Sequence, residues 1–142
     1  MSRRKAITNV LYPFSSEYPT NYIRTYYTLN KELKNIIEGS GYKKVFLKKY
    51  QKSLTFLEKL KIRCIAHSNL FEKLLEEDGL YSIRLFGEKN IRILFSFVTI
   101  NGEAKVILLN VFEEKSKSDY EIGKRIARER KKEIIDIFND GE

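Results

Sequence analysis

The pair Asn101-Gly102, set between two runs of alternating apolar and polar residues, constrains this chain more than any other feature. Both central residues of a type I′ turn need positive φ, which Asn and Gly tolerate best, so residues 95–100 and 104–112 are expected to be the arms of a β-hairpin. Upstream, Tyr81, Ile83 and Leu85 alternate with Ser82 and Arg84, and Ile91, Ile93, Phe95 and Phe97 alternate with Arg92 and Ser96. A period of two sends one set of side chains to a core and leaves the arginines on the other face. Three consecutive strands in a meander follow. Ser118-Asp119 then supplies a cap for a helix over residues 120–138, with Ile122, Ile126, Ile134 and Ile137 or Phe138 on its apolar side.

The first half reads differently. Residues 6–12 are short and β-branched enough for an edge strand, which Pro13 ends because proline cannot donate to a ladder. After Pro19-Thr20-Asn21, the residues Tyr22, Ile23, Tyr26, Leu29, Leu33, Ile36 and Ile37 recur at three- and four-residue steps, which predicts an amphipathic helix closed by Gly39-Ser40-Gly41. A second helix is expected over residues 42–62, where Phe46, Tyr50, Leu54 and Leu57 keep the spacing; Val45-Phe46-Leu47 also fits a short strand. The expected fold class is α+β: an antiparallel sheet of an N-terminal edge strand plus a three-stranded meander, with a helical hairpin and a C-terminal helix. One domain over residues 1–142 is expected, with an extended N-terminal region of about residues 1–42.

Lys and Arg outnumber Asp and Glu by 27 to 19, a formal charge of +8 that favours a polyanionic partner, and arginines on neighbouring strands make RNA the first to consider. The basic run Lys124, Arg125, Arg128, Arg130, Lys131 and Lys132 is interrupted by Glu129 and Glu133, and fits either a solvated helix face or a phosphate-contacting one. Cys64 is the sole cysteine, so neither an intramolecular disulfide nor a thiolate zinc site is expected, no metal or cofactor is called for, and a reducing cytoplasm suits the chain. Met1-Ser2-Arg3-Arg4-Lys5 is basic like the start of a signal peptide, but Asn9, Pro13 and Ser15 follow instead of an apolar segment. No run approaches the ~20 apolar residues needed to span a bilayer, so no membrane partner is expected.

Three segments together resemble the RelE/ParE/HigB superfamily of toxin–antitoxin toxins, in particular its phage-derived HigB-like branch. Asp78-Gly79-Leu80-Tyr81-Ser82-Ile83-Arg84 is similar to the family's "DGLYELR" strand, Ile91-Arg92-Ile93-Leu94-Phe95 to its "YRILY" strand, and Val106-Ile107-Leu108-Leu109-Asn110-Val111-Phe112-Glu113-Glu114-Lys115-Ser116-Lys117-Ser118 to its "VVLLHGFxKKTxK" segment. The match covers residues 78–127, about a third of the chain. It implies a RelE-like domain that enters the ribosome and cuts messenger RNA, with a cognate antitoxin as its protein partner. The chemistry implied is attack of a ribose 2′-OH on the adjacent phosphate, giving a 2′,3′-cyclic phosphate and a free 5′-OH. That reaction needs a base, charge neutralisation at phosphorus and a proton for the leaving oxygen, and family members use Arg, Lys and Tyr for it. Such a set fits a chain whose lone histidine, His67, lies outside the matching segments.

Carried over by position, the resemblance makes Arg84, Arg92, Lys115 and Tyr120 the catalytic candidates, and Ser82, Lys89, Asn110, Lys117 and Lys124 the RNA-binding ones. Arg84 and Arg92 would clamp the scissile phosphate with planar donor forks; the plain alternative is a pair of solvated strand arginines. Tyr120 would stack on a base or transfer a proton, or else pack on the sheet; Lys115 would stabilise the transition state, or else stay solvated. Glu114 is a candidate base. Three positions depart from the family's pattern: Ser82 where some members have lysine, Asn110 where others have histidine, and Glu113-Glu114 where a basic pair is common. These favour the rival reading, a non-catalytic inhibitor on the same fold, such as a gyrase-directed ParE-like toxin or a mobile-element protein blocking another machine. Register sets a further condition. With an unbroken two-residue hairpin, residue 93 faces 110, which sends Arg92 and Asn110 to opposite faces unless a bulge intervenes; Arg84 and Arg92 share a face only if even positions pair with even ones.

Overall fold

The computed structural model describes residues 6–12, 16–38, 40–74 and 79–140. Pro13, Gly39, Asp78 and the basic run at residues 1–5, to which sequence reasoning gave roles, lie outside them. Six strands form one mixed sheet: β1 (Ile7–Asn9), β2 (Ile23–Tyr26), β3 (Phe71–Lys73), β4 (Tyr81–Leu85), β5 (Ile91–Ile100) and β6 (Glu103–Glu113), in the order β1-β2-β6-β5-β4-β3. Three helices complete the fold: α1 (Leu29–Ile37), α2 (Lys43–Leu60), which runs into a 3-10 turn at Lys61–Ala66, and α3 (Lys117–Asp140).

The meander forms where alternation placed it. Asn101 and Gly102 have φ of 53° and 82°, the left-handed pair that the β5–β6 turn requires. The all-antiparallel expectation fails at β2, which runs parallel to β6, pairing Ile23 with Val106 and Thr25 with Leu108. Residues 22–26 are therefore not the first turn of a helix. Ile23, Thr25 and Tyr26 are β-branched or aromatic and all buried, and slotting them between β1 and the outer edge of β6 satisfies their backbone groups; the helix starts later, at Leu29. Sequence reasoning also missed β3, a three-residue strand antiparallel to β4. Strand β1 is the sheet's edge, as expected, though shorter than residues 6–12.

One buried cluster joins Leu33 and Ile37 of α1 and Phe46, Tyr50, Leu54 and Leu57 of α2 to Ile83, Ile93, Phe95, Val106 and Leu108 of the sheet. A second joins Ala127 and Ile134 of α3 to Leu80, Leu94, Ile107 and Leu109. The sheet is thus covered on both faces. Helix α3 begins three residues before the expected position: Asp119, in its first turn, reaches back to accept hydrogen bonds from the backbone N–H groups of Lys115 (2.8 Å) and Ser116 (2.9 Å). This is one half of a capping box, with Ser116 at the cap position; of the expected Ser118-Asp119 cap, Asp119 takes part, from inside the first turn. Among the described residues no helix is long and apolar enough to cross a membrane.

Candidate functional site

The β5–β6 ladder contains a bulge: Leu94 pairs with Asn110 but Phe95 with Leu108, leaving Leu109 without a partner in β5. The slip of one residue turns Asn110 onto the face that carries Arg92 and Leu94. On the next pair, Arg84 stands directly opposite Arg92, so even positions do pair with even. Glu72 pairs with Ser82 and joins the same face from β3. The two arginines and Glu72 are held by the sheet itself, and Tyr120 of α3 reaches Arg92 and Glu72.

Arg92 is the hub. Its Nη1 donates to Glu72 Oε1 (3.0 Å) and its Nε to Glu114 Oε1, while its guanidinium lies over the Tyr120 ring at 4.7 Å and near Phe86 at 5.8 Å. Burial alone would lower the pKa of this guanidinium, but the Glu114 hydrogen bond, Tyr120 and the two carboxylates outweigh it and hold the pKa above the ordinary arginine value. Tyr120 donates its hydroxyl to Glu72 Oε1 (3.3 Å); burial and then the Glu72 charge push its pKa up to about 12, against a lowering by Arg92. Tyr120 is therefore a protonated phenol at neutral pH. Arg84 lies over the exposed Phe86 ring at 4.9 Å and donates Nη1 to the Ser68 carbonyl (3.1 Å), while its buried Nε finds no acceptor among the described residues. Cations and rings alternate in a chain of contacts, from Arg84 through Phe86, Arg92 and Tyr120 to Lys124, which lies 5.3 Å from the Tyr120 ring.

Arg84, Arg92 and Tyr120 thus come together, with Lys124 beside the Tyr120 ring but itself buried, like Asn110, and in an ion pair with Glu121 (3.0 Å). The others do not join them. Ser82 and Asn110 are buried, so neither is open to RNA: Asn110 donates Nδ2 to the Gly123 carbonyl (3.1 Å) and fastens α3 to β6. A Cβ on Gly123 would come within 2.3 Å of the Phe112 ring, which explains why a glycine stands at the crossing. Lys89 pairs with Glu113 at 3.4 Å, and Lys115 and Lys117 are exposed around the α3 cap. Sequence reasoning missed Glu72 and Phe86. The run Leu70-Phe71-Glu72-Lys73 before the Gly79 turn was the available sign of the first, and an aromatic residue closing a strand beside two arginines that of the second.

The cluster can hold an anion at Arg84 and Arg92 once a carboxylate yields its place, offers a phenol as proton donor, and has carboxylates within reach as proton acceptors. Among the described residues no group of three or more His, Cys, Asp or Glu side chains is arranged to hold a metal ion. Comparison of the chain with protein-family models, with curated proteins and with solved structures returns no match.

Proposed function

We propose that this chain is the toxin component of a type II toxin–antitoxin pair that cuts messenger RNA at the ribosome and is restrained by a cognate antitoxin. The observation that carries the reading is the convergence of Arg84, Arg92 and Tyr120, from two strands and a helix, in one chain of cation–aromatic contacts. The order of the β1 strand, the α1 and α2 helices, the β4–β6 meander and α3 also supports the reading, with β2 and β3 as strands the resemblance did not supply.

In the proposed reaction the ribose 2′ oxygen bonds to the adjacent phosphorus as the P–O5′ bond breaks, leaving a 2′,3′-cyclic phosphate and a 5′-OH. The phosphate takes over donors of Arg92 now held by carboxylates. Arg84 and Arg92 neutralise the crowded phosphorus, Glu114 accepts the 2′ proton, and the Tyr120 phenol supplies the proton for the departing 5′ oxygen.

A second reading, a non-catalytic inhibitor on the same fold, is favoured by the two carboxylates that already occupy Arg92. Primer extension on a translating reporter mRNA after brief induction separates the two. Cuts in the translated frame that vanish in Arg92→Ala, with the fold retained, are expected of the nuclease. Growth arrest by the unaltered protein without any cuts refutes it in favour of the inhibitor.

A further inference from the structure

The net charge of this protein is not where its arginine-bearing strands are. Between Lys43 and Arg63 the chain has eight basic residues and a single acid, Glu58, so α2 and the turn after it hold seven of the eight net positive charges. Helix α3, whose basic run is more conspicuous, has seven basic residues against six acidic ones over its length. The sheet arginines sit among Glu72 and Glu114.

The charge on α2 is also ordered. Lys44, Lys48, Lys52 and Lys59 fall within about 80° of one another around a helix of 3.6 residues per turn, and the stripe they form is about 22 Å long at 1.5 Å per residue. All four are exposed, Gln51 and Thr55 lie between them, and among the described residues none of the four lysines forms an ion pair. Lys52 lies 5.8 Å from the Phe56 ring, which stacks on His67 at 4.6 Å, and Ser68 beside it takes the hydrogen bond from Arg84.

We infer that the outward face of α2 is a docking surface for the phosphate backbone of double-helical RNA. Unpaired lysines in a line release the most counterions when they meet a linear polyanion, whereas cations already matched to carboxylates release few. A membrane surface is the poorer occupant. Interfacial helices insert their apolar face between lipids, and that of α2, with Phe46, Tyr50, Leu54 and Leu57, is fully buried in the core. The choice of RNA over DNA rests on the function proposed above; the location of the surface does not.

The test is fluorescence anisotropy of a short labelled RNA duplex with the full chain over a range of salt, for the unaltered protein and for Lys44→Gln/Lys48→Gln/Lys52→Gln/Lys59→Gln. The slope of log K against log salt is expected to shrink by about 3 to 4, and affinity near 0.1 M salt to fall at least about tenfold. Arg125→Gln/Lys132→Gln on α3 is the control, expected to leave both nearly unchanged. Thermal melting verifies the fold, and Lys48→Gln/Lys52→Gln, expected to cut the slope by about 2, serves if the fourfold variant is unstable. An unchanged slope in the α2 variants, an equal loss in the control, no duplex binding by the unaltered protein, tighter binding of a DNA duplex, or a preference for vesicles with anionic headgroups would each overturn the inference. Binding is read here without ribosomes or cleavage, so the failure of the nuclease proposal and the failure of this one are separate results.

Discussion

Arg130 ties three elements together at one guanidinium. From the middle of α3 it reaches Glu32 of α1 with a two-pronged contact, Nη1 to Oε1 at 2.9 Å and Nη2 to Oε2 at 2.7 Å, and Nη1 also donates to the Leu109 carbonyl at 2.9 Å. Leu109 is the residue that the bulge leaves out of the β5 ladder, so this donor answers a peptide group displaced by the register slip. The guanidinium also lies over Tyr26 of β2 at 4.4 Å. Arg130→Ala removes a paired, charge-assisted contact at side chains 18% and 32% exposed, worth about 1.5–2 kcal/mol after allowance for solvent. It takes a donor from a buried carbonyl, about 1 kcal/mol or more, and a cation–π contact of about 0.5 kcal/mol. The expected loss is roughly 3 kcal/mol. At ~2.1 cal/mol/K of unfolding entropy per residue this lowers Tm by about 10 °C, read by circular dichroism or calorimetry. Arg130→Lys keeps the charge but not the planar fork and is expected to recover less than half. A fall of under about 3 °C in Arg130→Ala, or full recovery with lysine, would refute the reasoning, since either would mean that neither the fork nor the Leu109 carbonyl matters.

Three further outcomes are expected. Glu72→Gln takes a negative charge from beside Arg92; at about 1 kcal/mol for unit charges 4 Å apart in a watery setting, single-stranded RNA should bind roughly fivefold tighter by anisotropy, and unchanged or weaker binding would show that Arg92 does not receive phosphate. Gly123→Ala gains up to ~1 kcal/mol of helix propensity but drives a methyl into the Phe112 ring, so a net loss of about 1–2 kcal/mol is expected in urea melts, and a stabilised variant would mean that α3 can lift from β6 at no cost. The Asp119 carboxyl is held below its ordinary 3.8 by the backbone hydrogen bonds from Lys115 and Ser116, so its contribution is complete above about pH 4 and fades as pH falls through the lowered folded value. The Tm gap between the unaltered protein and Asp119→Ala should therefore be level from pH 7 to 5 and close toward pH 2; a gap independent of pH would mean that the carboxylate charge is not what holds the cap.

The parts legible in the sequence are those whose signals are local. The β5–β6 hairpin follows from Asn101-Gly102, the strands on either side of the Gly87 loop from their alternation, and α2 and α3 from their periodicity, whereas the register that sets Arg84 opposite Arg92 stayed open in the sequence. What escaped depends on partners distant in the chain. Residues 22–26 carry a helix-like spacing that continues into α1, yet the outer edge of β6, some eighty residues away, claims them as a strand. The bulge at Leu109 leaves no mark in composition, although it decides that Asn110 lies under α3, where Gly123 and Arg130 meet it. Among the site candidates, position in a strand located Arg84 and Arg92 on their face but said nothing of what would stand against them, because Glu72 arrives on the unforeseen β3 and Glu114 from the turn after β6.

Net charge gave the least direct guidance. A formal +8 beside strand arginines invites the thought that the sheet is the phosphate-binding surface, but charges act over about a Debye length, roughly 8–10 Å at ordinary salt, so what matters is the balance within each element. Within that range Arg92 is offset by two carboxylates, and most of α3 by its own acids; the lysine stripe of α2 has no such partner among the described residues. Under the two proposals, long-range attraction of a nucleic acid and close handling of one phosphate fall to different faces. α2 packs on one side of the sheet, and the Arg92 cluster lies on the other beneath α3. The two surfaces approach one another at the β4–β5 loop, where Phe86 is exposed and the Tyr42 hydroxyl, donating to the Phe86 carbonyl at 2.9 Å, fastens the loop to α2, and at Ser68, whose carbonyl accepts from Arg84. Neutralising α2 should therefore weaken capture of duplex RNA while leaving chemistry on bound RNA intact, whereas Arg92→Ala should abolish that chemistry and weaken binding of single-stranded RNA at its own site without changing the salt slope that α2 sets.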